Sequence, residues 1–330
     1  MAEKIKAVEV RSLSKTFKIK EKEKGFLGSL KSLTSTKYKI KQAVNDVSFD
    51  VYEGEMVAFL GPNGAGKSTT IKMLTGILQP DDGEINVLGL DPTKDRVKLA
   101  KSIGTVFGQK EQLWMHLTPM DNFIFFGSIY DIDAKEVEKT VSEFDKIFDL
   151  KEILNTPVRN LSLGQRIKCE IVASLIHKPK ILFLDEPTIG LDPVVKEKIR
   201  MLIKKMNREL GLTIFLTSHD IEDIEKLCKR IIIINSGRIV TDESMKSIRE
   251  KYFVKKIVRL KLKDKINSKP EKGFTILKDQ GDYFKLEVDT RIAQVTDIFH
   301  FVPEKLVLDI SVNDVSLESV IKDIYETPED

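Results

Sequence analysis

GPNGAGKSTT (61–70) follows an apolar run, MVAFL (56–60), and precedes a segment whose apolar residues Ile71, Leu74, Ile77 and Leu78 recur at helical spacing. That order reads as a buried strand, a tight glycine loop and a helix. Gly61-x-x-x-x-Gly66-Lys67-Ser68 is the complete phosphate-cradling pattern. Its glycines let backbone N–H groups turn inward around phosphate oxygens. Lys67 reaches the terminal phosphates and Ser68 offers a hydroxyl to Mg²⁺. The helix behind the loop adds the positive end of its dipole. The pattern itself runs from Gly61 to Ser68.

Outward from the loop, apolar strands alternate with helical segments. VEVRSL (8–13), AVNDVSFDVYEGE (43–55), GEINVLGLDP (83–92), IGTVFGQ (103–109), KILFLD (180–185) and TIFLTSH (213–219) read as strands, and RIIIINSGRIV (230–240) as a hairpin with a Ser-Gly turn. Residues 110–178 are mostly helical by period, with Ile167, Ile171, Val172, Leu175 and Ile176 on one face. This pattern predicts a mainly parallel α/β core with an inserted helical subdomain. Near residue 250 the character changes. VRLKLK (258–263) and YFKLEV (283–288) alternate cleanly, Ile292, Val295 and Phe299 fit a helix, LVLDISV (306–312) is a strand, and Val320, Ile321 and Ile324 suggest a last helix. We expect a large α/β domain over 1–245 and a small α+β domain over 246–330, the latter without a chemical motif.

Asp185 ends an apolar strand, where a carboxylate beside the loop can hold Mg²⁺. Glu186 comes next and can polarise an attacking water as general base. Gln109 ends another strand, Leu161-Ser162-Leu163-Gly164-Gln165 opens a helix, and Ser218-His219-Asp220 ends a third strand. A second helix N-terminus carrying a serine and a glycine has a purpose when it supplies donors to a phosphate held by another subunit.

The ordered set of P-loop, Gln109, LSLGQ, ILFLDE, TIGLD and SHD resembles the nucleotide-binding subunit of ABC transporters over roughly residues 5–240. The resemblance implies a P-loop NTPase core with antiparallel β and helical subdomains, an ATPase activity, and ATP with Mg²⁺ as cofactors. It gives Gly61, Pro62, Asn63, Gly64, Ala65, Gly66, Lys67, Ser68 and Thr69 to the loop that binds the nucleotide. It implies that Lys67, Glu186, His219 and Gln109 are catalytic and that Ser68, Gln109 and Asp185 hold the metal. It gives Ser162, Gly164 and Gln165 to the signature that completes a partner's site, and Asp192 to the D-loop. Phe17, closing SLSKTF, would stack the adenine, with Tyr38 as its rival. Leu163 stands where the family's first signature glycine usually is. FGQKEQLWMHL, LSLGQR and DEPTIGLD further resemble export-type ATPases that serve a separate permease. The implied partners are that multi-span permease and a second copy of the chain, head to tail. The implied place is the cytoplasmic face of a membrane. Residues from 109 to 122, with Trp114, Met115 and Leu117, are candidates to meet the permease or to fill the helical subdomain's core. A soluble, non-transport ABC ATPase is the alternative. Its DNA-repair form needs a long coiled coil, and Lys67 and Ser162 are only 95 residues apart without sustained heptads.

Composition predicts a sizeable core and a soluble surface. Apolar residues make up 41% and charged residues 32% of 330, and a net charge of +3 gives no argument for nucleic acid. No apolar run approaches the ~18 residues of a membrane span, and the N-terminus has no signal-peptide core. Cys169 and Cys228 lie in apolar-periodic segments and read as buried thiols. Residues 1–41 carry twelve Lys/Arg against four Glu, a net +8. Their stretch 18–41 reads as an insertion, either a solvated basic loop or an element that docks on a membrane surface or on a membrane partner's cytosolic face, with Phe26, Leu27, Leu30 and Leu33 on one helical face.

Overall fold

The computed structural model describes residues 5–20, 38–108, 111–218, 220–264 and 269–326. It divides into two compact units, Met1–Asp242 and Glu243–Asp330.

In the first unit, β1 (Lys6–Lys20), β2 (Tyr38–Tyr52), β3 (Met56–Leu60), β4 (Asp82–Val87), β5 (Ile103–Phe107), β6 (Ile181–Asp185), β7 (Thr213–Thr217), β8 (Arg230–Asn235) and β9 (Arg238–Ser244) form two sheets. The smaller sheet is antiparallel in the order β2-β1-β4. The larger runs β5-β6-β7-β3-β8-β9, with parallel pairings from β5 through β8. β6 and β7 are buried nearly end to end, as parallel strands covered on both faces must be. β2 alternates over Val47, Phe49 and Val51 because only one of its faces is covered.

That covered face meets the large sheet. Val8, Val10, Val47, Phe49 and Val51 from one sheet and Phe59, Phe183, Phe215 and Ile232 from the other share one core. The ring centroids of Phe49 and Phe59 are 5.6 Å apart, those of Phe59 and Phe215 5.3 Å, and those of Phe183 and Phe215 5.7 Å. Tilted aromatic pairs at such spacings add dispersion and quadrupole attraction to the burial itself.

β1 runs on to Lys20 and β2 begins at Tyr38, well beyond the strand expected at 8–13. Phe17↔Lys41, Lys18↔Ile40 and Lys20↔Tyr38 pair in register, so the basic insertion enters and leaves as a continued hairpin. Phe26, Leu27, Leu30 and Leu33, the expected helical face, lie outside the described residues.

Between β5 and β6 stand the helices Pro119–Ile129, Ala134–Phe148 and Leu163–Leu175. Each starts at a polar cap. Thr118 accepts from Asp121 N, Asp133 from Lys135 N, and Ser162 from Gln165 N, which satisfies otherwise orphaned N–H groups. Cys169 and Cys228 are buried and unbridged.

The second unit holds β10 (Lys255–Leu262), β11 (Phe274–Asp279), β12 (Tyr283–Asp289) and β13 (Val307–Asp314), antiparallel in the order β11-β12-β10-β13. Val258, Leu260, Phe284, Leu286 and Val288 form its core with Ile298 and Val302. One expectation fails here. Ile292 is 54% and Phe299 38% exposed, and residues 295–300 form a 3₁₀ turn that buries Ile298 instead. Spacing of three and four residues marks an α-helical face, and a three-residue turn rotates a different residue inward. The last helix, Leu317–Glu326, buries Leu317, Val320, Ile321 and Ile324.

Candidate functional site: a nucleotide cavity at the strand ends

The carboxyl ends of β3, β6 and β7 lie side by side, so the segments that leave these strands converge on one place. After β3 comes the glycine loop and then the helix Lys67–Leu74. Gly66 sits at φ 116°, a conformation that side-chain-bearing residues rarely adopt, and a Cβ on it would stand 2.5 Å from the Ala43 carbonyl oxygen. The loop is therefore pressed against β2 as well as continuing from β3. The Lys67 ammonium is buried and donates to the carbonyl oxygens of Gly61 at 2.5 Å and Pro62 at 3.3 Å. Desolvation lowers its pKa, while Glu186 and Asp185 oppose that shift.

β6 delivers the two carboxylates. Asp185 accepts from Ser68 Oγ at 3.3 Å and from Thr217 Oγ1 at 2.5 Å, which aims it at the loop. Glu186 has left-handed backbone, φ 56°, an uncommon state for a residue with a Cβ. Its N–H donates to the Thr217 carbonyl at 3.0 Å and its carbonyl accepts from Ile189 N at 3.2 Å, which holds that conformation. β5 passes closely on the other side. A Cβ on Gly108 would lie 2.2 Å from the Glu186 carbonyl oxygen, so only glycine fits where β5 ends. Gln109 and His219 lie outside the described residues.

These elements enclose a cavity of about 820 Å³. Of the expected residues, Phe17, Asn63, Gly64, Gly66, Lys67, Ser68, Thr69, Asp185 and Glu186 line it. Gly61, Pro62 and Ala65 belong to the same loop but not to the lining. Phe17 is half-buried at the wall, whereas Tyr38 is 56% exposed and lines nothing there. Thr217, which orients Asp185, escaped sequence reading because a threonine at a strand end gives no signal of its own. Lys18, Ile19, Lys41, Ala43 and Phe107 also line the cavity unforeseen.

The remaining expected residues stand elsewhere. Ser162 and Gln165 form a reciprocal cap on the helix Leu163–Leu175. Gln165 N donates to Ser162 Oγ at 3.3 Å, and Ser162 N to Gln165 Oε1 at 2.9 Å. Leu163 is 48% exposed, and a Cβ on Gly190 would meet its side chain at 3.8 Å. Asp192 caps the helix Pro193–Leu210, accepting from Val194 N at 3.0 Å and Val195 N at 3.1 Å. None of Ser162, Gly164, Gln165 or Asp192 lines the cavity of its own chain. Around Trp114 the surface is apolar. Trp114 is 60%, Leu117 37%, Phe125 41% and Ile129 57% exposed, Met115 is half-buried, and the Trp114 and Phe125 rings meet edge-on at 5.8 Å.

Residues 44–189 match the family described as ABC transporter. The chain is 35% identical over 231 residues to the ABC transporter ATP-binding protein NatA of Bacillus subtilis (strain 168), covering 68% of this chain and 94% of that protein. It is 36% identical over 212 residues to the Nod factor export ATP-binding protein I of Sinorhizobium fredii (strain NBRC 101917 / NGR234), covering 63% of this chain and 60% of that protein. Among solved structures, the ATP-binding cassette MJ0796, dimeric in a post-hydrolysis state with ADP and Pi, superposes with a TM-score of 0.59 at 29% identity, covering 72% of this chain and 98% of that one. With a P-loop, an aspartate–glutamate pair at the end of β6 and a matching fold around one cavity, the chain belongs to the ABC transporter ATP-binding proteins and is an ATPase subunit of that family.

Proposed function

We propose that this ATPase powers export through a separate multi-span permease at the cytoplasmic face of a membrane, as a head-to-tail dimer with two shared sites. The observation that carries the proposal is the split of the expected residues. One set lines the cavity, and Ser162, Gly164, Gln165 and Asp192 do not. A second copy is the source of such groups that the arrangement favours. Similarity to proteins named for export and to a dimeric cassette supports the direction and the pairing. Among the described residues no helix is long and apolar enough to cross a membrane. The exposed patch around Trp114 and Phe125 is the surface suited to a permease segment.

In this reading Phe17 stacks the adenine, the loop 61–69 wraps the phosphates, and Glu186 takes the proton of the attacking water. Ser68 and Asp185 fit Mg²⁺, being hard oxygen donors already 3.3 Å apart. The ion would supply charge neutralisation between the phosphates. Phosphate and water oxygens would be the further ligands such an ion takes at a nucleotide. Gln109 and His219 are proposed to flank the terminal phosphate. The unit from Glu243 onward is proposed as an accessory domain.

Mixing tests the shared site. Lys67→Ala and Ser162→Arg chains are each expected to be nearly inactive, and their mixture to recover up to roughly a quarter of wild-type activity, because about half the dimers are hybrids with one intact site. Wild type mixed with the double variant distinguishes the cases. If its hybrids retain an intact-site share of activity, the sites are not shared. For the permease, Trp114→Ala is expected to reduce recovery of a multi-span membrane protein with the chain; unchanged recovery removes this patch from the interface.

A further inference from the structure

The cavity carries more positive charge than the P-loop lysine supplies. Lys18, Lys41 and Lys72 line it together with Lys67. Lys41 is set apart by its position. It pairs with Phe17 across β1 and β2, and residues opposite each other in an antiparallel pair project from the same face. The register of β2 slips by one residue at Ala43, which lines the same cavity and has its carbonyl pressed against Gly66. The stretch of β2 that bears Lys41 therefore lies against the loop, with Phe17 on the same cavity wall. The lysine reaches it, since a Cβ on Gly64 would stand 3.8 Å from Lys41 Nζ. Among the described residues no carboxylate pairs with Lys41, so its charge is free to meet an anion.

We infer that Lys41 is a second phosphate-binding ammonium of this site, grasping the nucleotide between the base on Phe17 and the phosphates in the loop. The inference rests on the reading that this cavity holds the nucleotide with its base on Phe17. Lys67 works from beneath the loop, where it is buried. Lys41 comes from the hairpin side and is exposed. Its contact is a charge-assisted N–H···O bond made at the rim of the cavity, so it is sensitive to salt. This makes the continued hairpin a part of substrate recognition.

The experiment is calorimetric titration of the full-length chain with MgADP, at low and at high salt. Lys41→Ala is expected to weaken binding by about tenfold at low salt, the low end for a hydrogen bond to a charged group. The loss should shrink at high salt, and Lys41→Arg should retain most of the affinity. Phe17→Ala and Lys67→Ala serve as controls and should both weaken MgADP. If they do and Lys41→Ala binds like wild type, or its loss does not change with salt, the role of Lys41 is refuted while the site stands. If neither control weakens binding, the cavity reading itself falls, and the inference with it.

Discussion

Asp223 receives three donors from three separate elements. Arg200 Nε, on the helix Pro193–Leu210, donates at 2.5 Å, Ser218 Oγ beyond β7 donates at 3.2 Å, and Thr188 Oγ1 also donates. Both charged side chains are out of water, Asp223 1% and Arg200 3% exposed. Burial disfavours the guanidinium charge, but the hydrogen bond and charge of Asp223, followed by Glu222 and Glu197, hold its pKa above the usual value. Asp223→Ala would leave Arg200 with Glu197 and Glu222, each at 3.2 Å but 45% and 58% exposed, and with Asp220 at the longer distance of 3.8 Å. Removing one member of a buried pair costs about 3–5 kcal/mol, and the surviving exposed partners argue for about 3. For a unit of this size each kcal/mol moves Tm by about 2–4 °C, so a drop of about 6–12 °C is expected by calorimetry. Asp223→Asn keeps one acceptor and should cost less. Function should respond as well, because Thr188 lies two residues after Glu186 and Ser218 directly follows Thr217 at the end of β7. ATP turnover should fall further than ADP affinity does. An Asp223→Ala protein melting within about 2 °C of wild type would show that this cluster is solvated and refute the reasoning.

Glu170 is buried, and desolvation lifts its pKa from 4.5 to about 7 against the opposing hydrogen bond from Gln112 N. Between those values the folded chain keeps a proton the unfolded chain has lost, so this group's contribution to stability is full below about pH 4.5 and is lost as pH rises through about 7. Glu170→Gln should remove that slope and gain on the order of 1–3 kcal/mol at pH 8 over wild type; denaturant curves showing equal stability at pH 8 would count against it. Phe17→Ala should cost ATP binding about 1–3 kcal/mol, as expected for lost base stacking, while Tyr38→Ala should cost nothing measurable. A larger effect at Tyr38 in a fluorescent-nucleotide titration would relocate the adenine.

What sequence alone determined is what short-range chemistry encodes. The P-loop was legible because an apolar strand, three glycines with a lysine and serine, and a helical period are contiguous, and each acts on its immediate neighbours. Asp185 and Glu186 were legible as the end of an apolar run, and Leu161 to Gln165 as the opening of a helix before a periodic segment. Only the tertiary structure decided which strand ends meet. β3 lies beside β7 and β8, strands more than 150 residues further along the chain. That order brings Thr217 onto Asp185, and the order of β5 and β6 brings Gly108 against Glu186. It also set Phe17 apart from Tyr38 in position. In the paired hairpin Phe17 sits opposite Lys41 at the cavity wall, and Tyr38 three residues further out. Asp223 is, in sequence, one more acid in an acidic helix, yet it gathers partners 23 and 35 residues away. The physical reason is common to all of these. Periodicity and backbone preference act within a few residues, whereas contact between distant residues depends on strand order and register, which the packing of the whole core selects.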